Sequence, residues 1–388
     1  MRRFKKTVLS VALVATALAS LTACGKKKEE ETTAETTTEA IITAEETTTE
    51  EETEEPGHEN EYKNPLTGEW MDKSFENQRP IAVMINNVRP AIPQSGIGKA
   101  DIIYECIVEG GITRLMAVIT DYNDIKKLGS LRSARHYYVK LANELDAIYV
   151  HAGHSTYAVT EIANSKIDHI DAVDGIGGDW TFRTEDRKAP HNTFSDSERI
   201  KKAFERCKYT LTHNEKFDKK KFMFNTEDTE IEDGSPALRI ETRFNNDRHP
   251  YFVYNSEDKL YYRWQYNDKH IDDQTNEQLK FKNILIQFAT YSQLDPKKDL
   301  QEIKLVGSGE GLYATDGKIM NITWKKDADS GVTKYYKADG SQLKMNPGKT
   351  FITIFKDSNK QGIRVSETTE EATTEAASTE AASTEAAQ

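Results

Sequence analysis

Cysteine is scarce in this chain, with three residues in 388, at positions 24, 106 and 207. No C-x-x-C pair occurs, which excludes the common redox motif and the usual thiolate zinc sites. With Cys24 claimed by the export signal described below, Cys106 and Cys207 are the only candidates for a disulfide. Cys106 sits inside an apolar run, so a buried thiol packing as a small hydrophobe is the expected state. No G-x-S-x-G elbow marks a hydrolase nucleophile. The glycines at 175, 177 and 178 are followed by neither a phosphate-binding lysine nor a helical pattern, so they do not form a P-loop. Long apolar runs are also missing beyond Val8–Leu21, and mean hydropathy is −0.72.

The middle of the chain lacks net charge. Seven basic residues precede Glu29, while Glu29–Glu55 and Glu367–Gln388 carry twelve and six glutamates and no base. The total of −12 therefore belongs to the tails, and residues 56–366 are within one charge of neutral. No basic face for nucleic acid is expected from such a balance.

The N-terminus reads as an export signal. Arg2, Arg3, Lys5 and Lys6 precede the apolar run, which ends in Leu21-Thr22-Ala23-Cys24, the form of a lipobox. The run is short for a membrane span and stops at a charged segment. Cys24 is thus the expected lipidation site, and its acyl chains are the expected membrane contact, on the extracellular face of the cytoplasmic membrane. The Glu/Thr segment that follows and the Thr/Glu/Ala/Ser repeat at the C-terminus cannot bury enough surface to offset their conformational entropy, and both are expected to be disordered.

Between these tails, Ile81–Ile85 is a continuous apolar run of strand length, expected at the centre of a sheet. Residues 101–109 and 112–120 read as two strands joined by Gly110-Gly111, a hairpin signal that makes the sheet at least partly antiparallel. The spacing predicts a helix over 133–143, with Arg132 and Arg135 projecting from one face at its start. A strand over 147–150, a helix over 159–164 and a helix starting near Asp196 follow, the last capped by Ser195 or Ser197. Beyond residue 236 short strands dominate, with Asp316-Gly317 and Asp339-Gly340 as turn signals.

Six motifs follow one another in order: Arg79-Pro80-Ile81-Ala82-Val83-Met84-Ile85-Asn86-Asn87, Ala100-Asp101-Ile102-Ile103-Tyr104-Glu105, Glu109-Gly110-Gly111-Ile112-Thr113-Arg114, Leu131-Arg132-Ser133-Ala134-Arg135, His151-Ala152-Gly153 and Pro190-His191-Asn192. In this succession the chain resembles the YerB-like lipoprotein family of Gram-positive bacteria. The resemblance implies two domains, one to about residue 210 and a smaller one from about 240, and no assigned activity. The family commonly has a second glycine where this chain has His154. The expected fold is an α/β (α+β) N-terminal domain with a mixed sheet and a smaller, mainly β C-terminal domain. The expected boundaries are 1–23 for the signal, 24–63 for the lipidated tether, 64–213 and 237–357 for the domains, 214–236 for a charged linker and 358–388 for the disordered tail.

Three kinds of chemistry suit the polar motifs. A metal triad from His151, His154 and His191, with Glu105 or Asp186, is set aside because H-x-x-H in a turn lacks the helical H-E-x-x-H geometry, so no metal and no cofactor is expected. Acid–base or nucleophilic hydrolysis has the residue types it needs in Ser133, Ser155, His151, His191, Glu105, Glu109 and Asp186, but no recognisable nucleophile context. Whether the chain is an enzyme is left open. An anion pocket fits better, because arginine forks near a helix N-terminus suit carboxylate or phosphate. Its expected residues are Glu105, Arg114, Arg132, Ser133, Arg135, His151, Asp186, Arg187, His191 and Asn192, and its expected ligands are the carboxylates of peptidoglycan and the phosphates of teichoic acid. The alternative is a non-enzymatic accessory lipoprotein that docks a partner protein, with these motifs buried in ion pairs.

Overall fold

The structure, a computed structural model, describes residues 57–370 except Lys216. The expected signal, Cys24, the tether before Gly57 and the tail beyond residue 370 lie outside the described residues.

In chain order the main elements are β1 (Ile81–Asn86), β2 (Ile102–Ile107), β3 (Thr113–Ile119), α1 (His136–Asn143), β4 (Ile148–His151), α2 (Thr156–Ser165), β5 (His169–Asp171) and α3 (Ser197–Cys207). The C-terminal half adds β6 (Arg239–Thr242), β7 (Tyr251–Asn255), β8 (Leu260–Gln265), β9 (Asn283–Ala289), β10 (Gly307–Thr315), β11 (Lys318–Lys326), β12 (Thr350–Lys356) and β13 (Ile363–Ser366). This is the anticipated combination of a mixed-sheet α/β half and a mainly β half.

One large sheet runs through both halves, in the order β11-β10-β9-β12-β2-β3-β1-β4-β5. The halves meet where β12 pairs in parallel with β2, from Thr350 opposite Ile102 to Ile354 opposite Cys106. Every residue of β1 is buried, as its uninterrupted apolar run requires. Its side chains alternate between two cores. Ala82 and Met84 join α1 residues Tyr137, Tyr138 and Leu141 on one face. Ile81, Val83 and Ile85 join Ile200 and Phe204 of α3 and Ile240 and Phe252 of a second, smaller sheet on the other. That smaller sheet has the central order β8-β7-β6-β13. The fold is therefore helix, sheet, and then helix beside sheet, in three layers.

Local sequence explains most boundaries. The hairpin between β2 and β3 turns at Gly110 and Gly111, with φ of 66° and 65°, a region that favours glycine. The cap of α3 is Asp196, whose carboxylate accepts the Arg199 N–H at 2.8 Å, rather than either flanking serine. Ser155 caps α2. Cys106 and Cys207 are both free thiols.

Three expectations about boundaries and packing are corrected. The helix expected from 133 begins only at His136, because the chain before it is tied into sheet-like bonds: Arg132 N–H donates to the Met84 carbonyl at 2.9 Å and Ala134 N–H to the Gly153 carbonyl at 2.8 Å. The ordered chain also continues past 357, since Ile363–Ser366 completes the edge of the smaller sheet against β6. The stretch 214–236 is packed rather than free: Lys221 is buried, and Met223–Phe224 pairs with Lys344–Met345. No helix among the described residues is long and apolar enough to cross a membrane.

Candidate functional site

The anticipated site residues separate into those consumed by the fold and those left over. Glu105 is fully buried on β2, where Oε1 accepts from Asn87 Nδ2 and Thr113 Oγ1 at 3.2 and 2.7 Å. Its Oε2 accepts from Arg263 Nη2 at 2.8 Å, an ion pair between the two halves. Arg263 Nε donates to His270 Nδ1 at 3.2 Å, and His270 Nε2 meets Gln94 Oε1 at 2.7 Å. His270 is therefore neutral, with its proton on Nε2; burial first, and then Arg263, push it well below its ordinary value of 6.5.

This burial has a pH consequence with a definite sign. The unfolded chain takes up a proton at His270 as pH falls through 6.5, while the folded chain does not, so the stability it contributes is complete above 6.5 and is lost below. In urea unfolding followed from pH 7.5 to 5.5, His270→Gln is expected to show a shallower loss of stability than the wild type. Parallel pH profiles would show that His270 is not the group responsible.

Arg135 is also consumed. It clamps Glu109 with Nε and Nη2, the latter at 2.7 Å from Oε2. Burial would raise the Glu109 carboxyl, but Arg135 and then Arg114 hold it below its usual value. Arg114, on β3, donates from Nη1 to the Ser133 carbonyl at 2.6 Å, and its Nη2 lies 3.7 Å from Glu109. Burial and the neighbouring Arg135 pull it down to about 10. His151, fully buried at the end of β4, donates from Nδ1 to the Gly153 carbonyl at 3.0 Å and meets His169 Nδ1 through Nε2 at 3.0 Å.

The loop of 182–192 is held by polar contacts within itself and to the 91–93 segment. Arg187 donates to the carbonyls of Ala91 and Pro93, both at 2.7 Å, and lies 3.3 Å from Asp186. Asn192 accepts from Arg183 at 2.9 Å and donates to the Thr184 carbonyl at 2.9 Å. These contacts carry His191 to the end of β1, where its Nδ1 meets Asn86 Nδ2 at 2.9 Å.

Arg132, Ser133 and His191 remain. Arg132 lies between the carboxyl ends of the adjacent parallel strands β1 and β4: its N–H bonds to Met84, and its carbonyl accepts from Ala152 N–H at 3.0 Å. Crevices beyond such strand ends are the usual ligand positions of α/β sheets. The half-buried Arg132 guanidinium makes no hydrogen bond and no ion pair among the described residues, and neither does the Ser133 hydroxyl. Burial and then Arg135 lower the Arg132 pKa, and Arg132 in turn helps burial lower that of His191. Three guanidiniums, those of Arg114, Arg132 and Arg135, thus share the single carboxylate of Glu109.

The three histidines weighed for a metal triad do not share one partner: His151 and His154 both approach Asp171, at 3.6 and 3.7 Å, while His191 turns to Asn86. Sequence reasoning also passed over four residues that complete these arrangements. Asn86 is legible only as the polar end of an apolar strand. His169 and Asp171 sit two apart on an edge strand, a spacing that puts both on one face, with Asp171 in register with His151. Arg263, the partner of Glu105, carries no local signal at all.

Comparison with known proteins agrees with this architecture. The family model described as "Protein of unknown function (DUF3048) N-terminal domain" matches residues 66–210, and its C-terminal counterpart matches 240–352. The chain is 32% identical over 314 residues to a protein of Bacillus subtilis (strain 168) named "Putative lipoprotein YerB", covering 80% of this chain and 92% of that one. The crystal structure of YerB protein from Bacillus subtilis superposes with a TM-score of 0.70 at 30% identity, covering 79% of this chain and 99% of that chain. With both domain models matched in order and this identity across most of both chains, the protein belongs to the YerB family, the two-domain family described by the DUF3048 models.

Proposed function

We propose that this protein is a lipoprotein held by acyl chains on Cys24 at the extracellular face of the cytoplasmic membrane, and that Arg132, flanked by Ser133 and His191, binds an anionic group of the cell envelope. The lipobox and the name of the Bacillus relative support the anchor. One observation carries the site: a half-buried guanidinium that makes no hydrogen bond or close ion pair among the described residues, in a cluster where three arginines share one carboxylate. An unpaired charge withdrawn from water is unfavourable, and a carboxylate or phosphate docking on it would supply the missing pairing. Peptidoglycan carboxylates and teichoic-acid phosphates offer that chemistry at this location.

Binding suits the geometry better than turnover. Ser133 and His191 share no hydrogen bond among the described residues, and His191 is engaged by Asn86, so no nucleophile–base pair is assembled. The internal pairing of Glu105, Arg135 and His151 favours the second reading, an accessory protein that docks a partner. Co-sedimentation with peptidoglycan sacculi carrying or stripped of teichoic acid separates the two. The anion reading predicts retention that falls about 10–100-fold in Arg132→Ala, as for loss of one charge-assisted contact. Retention unchanged by that substitution would remove Arg132 from the site.

A further inference from the structure

A second cluster lies at the edge of the large sheet, on residues the anion reading does not use. Asp171, the last residue of β5, is fully buried. Its Oδ1 accepts the N–H groups of Gly153 and Val173 at 2.7 and 2.8 Å, which fixes the orientation of the carboxylate. Its Oδ2 is buried and accepts no hydrogen bond among the described residues. His151 Nδ1 is 3.6 Å from that oxygen but donates to the Gly153 carbonyl instead. On its other side Oδ2 faces His154 Nε2, at 3.7 Å, and His154 Nε2 is in turn 2.8 Å from Asp174 Oδ2. One donor atom from each of His154, Asp171 and Asp174 lies within 4.8 Å of the others.

We infer that His154, Asp171 and Asp174 form a binding site for a divalent cation of the zinc type. A neutral imidazole nitrogen and two carboxylate oxygens are a common donor set for such an ion. Zinc bonds of about 2.0–2.2 Å in tetrahedral array place donor atoms about 3.3–3.6 Å apart, and the separations of 2.8 and 3.7 Å at His154 bracket that range. The two backbone N–H groups on Asp171 Oδ1 act as the outer shell that fixes a ligand. A His154–Asp174 surface pair alone would leave Asp171 Oδ2 buried and unmet, whereas a cation satisfies all three donors at once. With His154 and Asp174 side chains 28% and 50% exposed, solvent reaches the fourth position, so the ion can exchange and can hold water.

Isothermal titration of the chelator-treated protein with zinc chloride, paired with elemental analysis after gel filtration, tests this. The expected result is one zinc per chain, with affinity at least about 10–100-fold weaker in His154→Ala and in Asp174→Asn, since loss of a ligand's outer-shell support alone costs that much. Both side chains are partly exposed, so the metal-free variants are expected to unfold at the wild-type urea midpoint. Asp171→Asn is expected to abolish binding; if it fails to fold, the two exposed variants decide. Zinc retained at well under one equivalent, or bound equally well by His154→Ala, would overturn the site. Because Arg132 takes no part, this outcome is independent of the anion reading.

Discussion

Glu144→Ala is expected to destabilise the protein by about 3–5 kcal/mol, a large share of the 5–15 kcal/mol typical of a folded domain. Glu144 closes the C-terminal end of α1 with its side chain 1% exposed, facing the ammonium groups of Lys221 and Lys326, which are 4% and 0% exposed. Lys326 Nζ donates to Oε1 at 2.7 Å, Lys221 bonds to Oε2, and Thr333 adds its N–H at 2.9 Å and its hydroxyl at 3.1 Å. Burial would raise the Glu144 carboxyl, yet the two lysines hold it below its usual value, while burial lowers Lys221 against the pull of Glu144. Both directions follow from one carboxylate serving two desolvated cations. Removing it leaves two like charges buried together, which costs far more than the intact cluster contributes. Urea unfolding measures the loss. The triple variant Glu144→Leu, Lys221→Met, Lys326→Met is expected to recover most of it, because it removes the charges along with their partner. No recovery would mean that packing, rather than uncompensated charge, dominates at this position.

Glu105→Ala is expected to cost a similar 3–5 kcal/mol, for a related reason in a different place. Its partner Arg263 is fully buried, with the guanidinium carbon 4.3 Å from the Phe351 ring centre and 5.1 Å from that of Phe252. Those rings offer some compensation through their faces, though less than a carboxylate. Arg263→Met removes the cation and leaves Glu105 with Asn87 and Thr113 as donors, so its cost should be the smaller of the two. The double variant Glu105→Leu, Arg263→Met is expected to lie well above the sum of the single losses in stability, giving a coupling of about 1–3 kcal/mol in a double-mutant cycle. Additive losses would show that the two side chains stabilise the fold independently. Both clusters join the N-terminal half to segments after residue 214, so these variants also probe how the two halves hold together.

Much of the frame was legible in the sequence because it rests on local signals. The apolar run of β1 reads as a strand buried on both faces, and the Gly110-Gly111 pair reads as the turn between β2 and β3. The joining of the two halves was not legible, since the β12–β2 pairing spans some 250 residues and no local pattern encodes a partner that distant. The same limit governed the site. Arg132 and Arg135 match a helical spacing, but bonds to Met84 and Gly153 hold the intervening chain extended, which separates an unpaired arginine from one locked to Glu109. Charge type was visible at each position. Which charges neutralise one another is a property of the assembled fold, and it divided ten candidates into those that build the protein and those free to meet a ligand.

The affinity of the protein for soluble teichoic acid, measured by titration calorimetry for wild type and Arg132→Gln at two salt concentrations, bears most directly on that division. The anion-site reading predicts saturable binding that weakens as salt rises, and a loss of about 10–100-fold in Arg132→Gln at low salt, with the urea midpoint of the variant unchanged. Equal affinities for the two proteins, or no saturable binding to either this polymer or peptidoglycan fragments, would contradict it.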